Sequence, residues 1–358
     1  MTTMSIPGSD REPPDCTPSR PLARATMKDV AAAAGVSLKT VSRVVNHESG
    51  VSPEVRERVT RAATRLAYSH NLHASNLRRL GGRTGTIGAL FQDLSNSFSA
   101  SLLRALEDVA RAHGTAVLAS SLDEEVDREI ALVRDLVARR VDGLVIMPAT
   151  SRQDYLVADL HAGLPAVFVD RLPHGVNADS VTVNNVLGSH QAVEHLIHHG
   201  HRRIATLLDL ETIETAQERL RGYRESLSDA GIAADGRLEV LGLRSPEAAE
   251  QAVRRLLRGQ NPPTALFAGR NDLAVGAVRA LRSLGMSRSV AIVGFDDFPL
   301  ADLLAPGMTV VRQNVAQIGA EVGRLLFARI EGDTAPPHRV IIEPTLVVRG
   351  SGEIAAPV

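Results

Sequence analysis

Residues 37–46 put hydrogen-bond donors on one side of a short segment and apolar groups on the other. Lys39 and Arg43 can donate to guanine O6 and N7 in a DNA major groove, and Leu38 beside them can pack on a thymine methyl. Thr40 and Ser42 suit phosphate oxygens, contacts that position a protein without reading sequence. A phosphate clamp is the alternative role for Arg43. Lys28, Ser37 and Asn46 complete this candidate DNA-binding set. A second set has different chemistry. Asp93 and Phe98 follow the apolar run 86–90, Asp170 and Arg171 follow 166–169, and Asp296 ends the run that begins at Val290. Carboxylates and arginines at the ends of buried strands can make paired hydrogen bonds to a polyhydroxylated ligand. Catalysis is not expected: the chain has no G-x-S-x-G elbow, no P-loop and no G-x-G-x-x-G after a strand. Asp296 and Asp297 are adjacent, so on a strand exit they point apart, which suits a ligand clamp better than acid–base chemistry.

The first set needs two short helices and a tight turn to present it. A helix is expected after Thr26, through the alanine run 31–34, ending at Gly35, where a C-cap favours a left-handed residue. Ser37 stands at the N-cap of the second helix, where its hydroxyl can accept an orphan backbone N–H. Val30, Val41, Val44 and Val45 point inward. A third helix is expected over 53–67, capped by Ser52 with Pro53 at its first position. Three helices in about sixty residues lie at the lower edge of independent stability. Charge marks this head off. Residues 24–83 carry eleven Lys or Arg against four Asp or Glu, whereas the whole chain is −1. A basic module on an acidic body is the electrostatic footprint of a nucleic-acid binder.

The second set needs parallel sheets. From residue 84 onward strands alternate with amphipathic helices: strands at 86–90, 116–119, 143–147 and 166–169, with helices at 99–113 and 127–139. The pattern then restarts, with helices at 188–199, 216–230, 246–258 and 273–284 and strands at 203–208, 239–241, 265–268 and 290–293. Continuous β-branched runs separated by helices argue for sheets covered on both faces. Two successive α/β units imply two lobes with a cleft, and ligands bind outside the carboxyl ends of such strands.

The ordered run Lys28-Asp29-Val30-Ala31, Ala34-Gly35-Val36-Ser37 and Thr40-Val41-Ser42-Arg43-Val44-Val45-Asn46 resembles the head signature of the lactose-repressor (LacI/GalR) family of bacterial transcription regulators. The resemblance runs from residue 26 to the C-terminus. It implies an α/β chain with a three-helix helix-turn-helix head and a two-lobed, periplasmic-binding-protein-like core. The implied organisation is a disordered extension (1–25), the DNA-binding head (26–70), a hinge helix and linker (71–84), the effector-binding core (85–352) and a tail (353–358). Three crossings near 180, 310 and 338 would divide the core into an N-lobe (85–179 and 310–337) and a C-lobe (180–309 and 338–352). The hinge helix of the family wedges a leucine into the minor groove, an apolar insertion that bends DNA. Leu77 occupies that position, with His73 nearby. His70 replaces the usual proline, and Ser75 a frequent arginine.

In the core, Arg219 within Glu218-Arg219-Leu220-Arg221-Gly222-Tyr223 matches the effector-binding arginine of the family. Asp296 matches an effector-binding aspartate, and Gln313 a cleft position. Where the family usually has Asn-Asp this chain has Arg270-Asn271, and Arg244 falls where some sugar-binding members place an aromatic ring. Tryptophan is absent and aromatic residues make up 3% of the chain, so ring stacking is weakly supplied. Arg171, Arg219, Arg244 and Arg270 together could favour an acidic effector. Alternatively Arg270 pairs with Asp272 or Asp296 as a structural ion pair, the reading we prefer.

The resemblance implies a repressor that binds a pseudo-palindromic operator as a homodimer and is controlled allosterically by a sugar or sugar derivative in the cleft. Tetramer, corepressor and activator variants stay open. The expected partners are double-stranded operator DNA and that effector, with no cofactor. A transporter's solute-binding protein would need an export signal and no basic head; a sugar-metabolising enzyme would need an active site. Residues 1–25 have no apolar core of a signal peptide, and Cys16 is the only cysteine, so a cytoplasmic, nucleoid-associated protein is expected. No membrane span is expected. His195 and His199 have metal-pair spacing, but the cluster sits at a helix C-terminus without an evident third ligand, so no metal is expected.

Overall fold

A computed structural model of the chain describes residues 25–46, 48–68 and 83–357. Two compact units are present, one ending at Arg79 and the other beginning at Leu80. Cys16, and the hinge residues His70, His73, Ser75 and Leu77, lie outside the described residues.

The first unit holds α1 (Met27–Ala34), α2 (Leu38–Val45) and α3 (Pro53–Arg65). Thr26 and Asp29 form a capping box: Asp29 accepts the Thr26 backbone N–H at 2.7 Å while the Thr26 hydroxyl accepts that of Asp29. Gly35 turns the chain at φ 62°, a left-handed conformation open to glycine at little cost. Ser37 Oγ then accepts Thr40 N–H at 3.1 Å and starts α2. The third helix stops at Arg65 rather than at 67, because Ala67 takes a left-handed φ of 48°. Val30, Val41 and Val59 are fully buried between the helices, each worth roughly 1.5–3 kcal/mol against exposure. Val45, expected inward, is half-buried at the edge of this cluster.

The second unit is built on two six-stranded sheets. The first contains β1 (Thr86–Phe91), β2 (Ala116–Ser121), β3 (Leu144–Ile146), β4 (Ala166–Val169), β5 (Asp179–Val183) and β11 (Arg339–Ile342), in the order β11-β5-β4-β3-β1-β2. The second contains β6 (Ile204–Leu207), β7 (Glu239–Val240), β8 (Ala265–Ala268), β9 (Ala291–Phe295), β10 (Thr309–Arg312) and β12 (Thr345–Val347), in the order β12-β10-β9-β8-β6-β7. All pairs are parallel except β10 with β12. Helices cover both faces. In the N-lobe, α4 (Ser97–Ala112) and α11 (Val315–Ile330) pack on one face and α5 (Val126–Ala138) on the other; α6 (Val157–His161) is a single short helix. In the C-lobe, α7 (Asn185–His198) and α8 (Glu214–Asp229) oppose α9 (Pro246–Leu257) and α10 (Asn271–Ser283).

The lobe crossings fall two to four residues beyond the expected positions, which moves one strand at each crossing to the other lobe. Strand β5 pairs with β4, β10 with β9, and β11 with β5, so the chain changes lobes after Val183, Arg312 and Ile342, near the expected 180, 310 and 338 but on the far side of each strand. These strands are short or mixed in polarity, with Asp179, Ser180, Thr182 and Arg312 among their residues. Short apolar runs in β10 (Val310 and Val311) and β11 (Val340 to Ile342) mark strands but not lobes, and only backbone pairing assigns each to its sheet.

Candidate functional site

The head exposes the side chains that the sequence singled out. Leu38 stands 45% exposed on the polar side of α2, an unusual place for a large apolar residue. Lys28 and Lys39 are exposed. Arg43 is half-exposed, with only a 4.0 Å approach to Glu48. The small polar residues are partly engaged: the Ser37 and Thr40 hydroxyls meet at 2.9 Å, and Asn46 Nδ2 donates to Ser42 Oγ at 3.2 Å. A hydroxyl in such a bond keeps an acceptor lone pair or its proton for a phosphate or water.

In the core, the strand order reverses direction between β1 and β3 and again between β6 and β8, which are the crevices where open α/β sheets bind ligands. Side chains from both sets of strand ends meet in one inner pocket. Phe98, Asp170 and Arg171 come from the N-lobe, Arg219, Arg270 and Asp296 from the C-lobe, and Gln313 from the second crossing. Asp170 and Asp296 both hold φ at 70°, a left-handed conformation that costs a non-glycine residue energy and recurs at functional sites.

Each arginine is already committed. Arg171 makes a bidentate pair with Glu124, one bond at 2.8 Å, and donates to the Pro148 carbonyl at 2.7 Å. Arg219 donates to Asn185 Oδ1 at 2.9 Å and to the Gly269 carbonyl at 2.5 Å, lies 3.9 Å from Asp296 Oδ2, and stacks on the Phe295 ring. Arg270 pairs with Asp209, and its Nε lies 3.7 Å from Asp272. The expected structural ion pair therefore exists, with Asp272 as its weaker partner; Asp209, rather than Asp296, is the main one. Burial pushes the Asp170 carboxyl up to about 6, against the pull of Arg171 and Arg219. Burial also raises Asp296, opposed by Arg219 and by the Gln313 amide, which donates at 2.6 Å.

Asn271 does not line this pocket. It ties the lobes together: Asn96 Nδ2 donates to Asn271 Oδ1 and to Asp272 Oδ2, both at 2.9 Å, and Asn271 Nδ2 donates to Ser97 Oγ at 2.9 Å. The latch leaves the inner pocket about 30 Å³, room for one or two waters. Asp93 and Arg244 line a larger outer vestibule of about 460 Å³ instead, with Glu124, Asp209 and Asp272. Among the residues the sequence reading left out, Asp209, Glu124 and Asn185 matter most. Asp209 was findable, since it lies two residues past β6, where the strand-end rule points. Glu124 and Asn185 enter only through the fold.

The comparisons with known proteins agree with this geometry. The chain matches the bacterial regulatory proteins of the lacI family over residues 26–71 and the periplasmic binding protein-like domain over residues 193–352. It is 35% identical over 340 residues to the HTH-type transcriptional regulator CelR of Thermobifida fusca, covering 92% of this chain and 98% of that one. The chain belongs to the LacI family of bacterial regulatory proteins. The Ribose operon repressor of Escherichia coli (strain K12) is 32% identical, covering 91% of this chain and 99% of its own length. A crystal structure of the lac repressor dimer bound to operator and the anti-inducer ONPF superposes with a TM-score of 0.78 at 28% identity, covering 92% of this chain and 99% of that one. As a LacI-family member the protein is a DNA-binding transcription regulator, not an enzyme. The N-lobe repeats the strand order of the C-lobe although the periplasmic-type match begins only at 193.

The histidine cluster serves the fold. His195 pairs with Glu353, His201 Nε2 donates to the Ile354 carbonyl at 2.7 Å, and Ala356 N–H donates to the His199 carbonyl at 3.0 Å, so the cluster holds residues 353–356 against α7. Among the described residues, no three His, Cys, Asp or Glu side chains form a metal-binding group. No helix among them is long and apolar enough to cross a membrane.

Proposed function

We propose that this regulator is a repressor that pairs as a homodimer on a pseudo-palindromic operator and responds to a neutral, polyhydroxylated effector of the sugar class in the interlobe cleft. One observation carries the choice of effector. The inner arginines are neutralised by the chain itself, yet Arg171 Nε, Arg270 Nε and Gln313 Oε1 are buried with no hydrogen-bond partner among the described residues. The first two need an acceptor and the third a donor, and a hydroxyl group supplies both. An anionic effector would compete with Glu124 and Asp209 for guanidinium groups already paired. A solved structure of a transcriptional regulator CelR–cellobiose complex (33% identical, covering 92% of this chain and 100% of that one, TM-score 0.66) is in line with this class.

On the head, Leu38, Lys39 and Arg43 read base edges while Lys28, Ser37, Thr40, Ser42 and Asn46 position the helix on phosphates. His73 and Leu77 belong to the same reading. A dimer face is supported by Leu300 and Leu303, 66% and 74% exposed, beside a cavity of about 300 Å³ lined by Leu281, Leu304 and Met308. Such a regulator works in the cytoplasm, at the nucleoid. A thermal-shift screen of the full chain tests the effector class, because a ligand that binds only the folded state raises its melting point. Cellobiose, ribose and related neutral sugars are expected to stabilise; stabilisation by sugar acids or phosphosugars alone refutes the neutral class.

A further inference from the structure

The chain enters the N-lobe under unusually tight control. Asp142, between α5 and β3, gathers hydrogen bonds from three consecutive residues. Its Oδ1 accepts Thr84 N–H at 2.7 Å and Thr84 Oγ1–H at 3.1 Å; its Oδ2 accepts Gly85 N–H at 2.6 Å and Thr86 N–H at 3.2 Å. The Asp142 N–H in turn donates to the Thr86 carbonyl at 2.7 Å. One residue earlier, Arg83 donates to the carbonyl of Ile330, the last residue of α11. Charge-assisted bonds of this kind are about twice as strong as neutral ones. They fix residues 83–86, the first described residues of the sensor.

The other end of α11 lies at the cleft. The helix begins two residues after Gln313, whose amide holds Asp296. Sixteen residues make a rod of about 24 Å between these points. Helix α11 is locked to α4. A Cβ at Gly319 would stand 2.5 Å from Ala105 Cβ, and one at Gly323 would stand 2.5 Å from Val109 Cγ1, so α4 side chains fill the space that a side chain at either α11 position would need. The amino end of α4 supplies Asn96 and Ser97, the N-lobe half of the latch. The α4–α11 pair thus has both amino ends in the cleft, and α11 has its carboxyl end on the linker exit.

We propose that Arg83 and Asp142 are positioning residues that form the output port of the sensor, Asp142 pinning residues 84–86 at the start of β1 and Arg83 tying them to the carboxyl end of α11, so that a change at the interlobe latch reaches the DNA-binding head. This rests on the cleft being the regulatory site, but not on which compound fills it. Spatial continuity alone does not demonstrate coupling, so the test must read coupling directly. Linkage is reciprocal: if the cleft acts on DNA binding, DNA binding acts equally on the cleft. The probe is therefore a duplex that the full chain itself selects from a random-sequence pool.

Hydrogen exchange of the full chain, with and without that duplex, is expected to change several-fold at residues 294–298 and 312–315 of the cleft. In Asp142→Asn, exchange at residues 84–86 in the free protein rises about tenfold, and the DNA-induced change at the cleft disappears while the duplex still binds. Arg83→Ala, which removes a side-chain contact and no buried carboxylate, is expected to lose the cleft response as well. It stands in should Asp142→Asn fail to fold. Measurements at low salt and saturating duplex keep weakened variants bound through phosphate contacts. A cleft response that persists in either folded variant, or none in the unmodified chain, overturns the proposal. A failed sugar screen leaves this experiment unaffected, since no sugar enters it.

Discussion

Asp170→Asn offers the sharpest check on the electrostatics of the cleft. The side chain is about nine-tenths buried, and its carboxyl titrates near 6 instead of 3.8. That difference corresponds to ~3 kcal/mol between the protonation states. The sign follows from linkage. A carboxyl whose folded pKa is raised adds stability that is complete below 3.8 and is lost as pH rises through about 6. Near pH 7.5 the ionised, buried Asp170 is therefore a net cost, which Arg171 and Arg219 offset only in part. Asparagine is nearly isosteric and also tolerates the left-handed backbone at this position. The variant is expected to melt above the unmodified chain at pH 7.5 by about 5 °C, and the two curves should converge as pH falls towards 4. Differential scanning fluorimetry across that pH range reads the difference and cancels the histidines common to both proteins. A variant that melts lower at pH 7.5, by a margin that does not change with pH, would refute the argument. It would mean that the two guanidinium groups more than repay the desolvation of this carboxylate.

Three further outcomes follow from the same structure. Lys39→Ala and Arg43→Ala should each weaken the selected duplex by about 1–3 kcal/mol while altering random-sequence binding far less; unchanged selectivity in both would move the reading surface elsewhere. Arg219→Ala strips partners from Asn185, Gly269 and Asp296 at once, so the thermal response to neutral sugars should vanish while duplex binding persists; a retained response would displace the proposed effector site. Leu303→Asp puts a charge on the proposed dimer face and should shift the sedimentation coefficient towards a monomer, and an unaltered coefficient would exclude that face from the interface.

The head was legible almost residue by residue because its signals are local. Gly35 ends one helix and Ser37 starts the next through contacts a few residues away, and valines at helical spacing define the buried side. The cleft was legible in part. Asp170 and Asp296 were found because each directly follows a buried strand, and Arg219 and Gln313 because they fall in a known pattern. Arg270 shows the limit. Its type was visible, but its partner Asp209 lies 61 residues away and is brought alongside only by the pairing of β6 with β8. Asn271 was assigned to the ligand, yet the closed cleft uses it to join the lobes.

Periodicity, capping residues and charge asymmetry are properties of neighbouring residues, and from them alone the chain could be recognised as a basic helical reader joined to an acidic sensor of two parallel sheets. Which sheet receives β5, β10 and β11, which carboxylate neutralises which arginine, and how the linker is anchored at Asp142 were decided only in three dimensions. Those choices depend on backbone hydrogen bonds and ion pairs between residues far apart in the chain. Their energies exist only after the chain has closed the loops that bring the partners together.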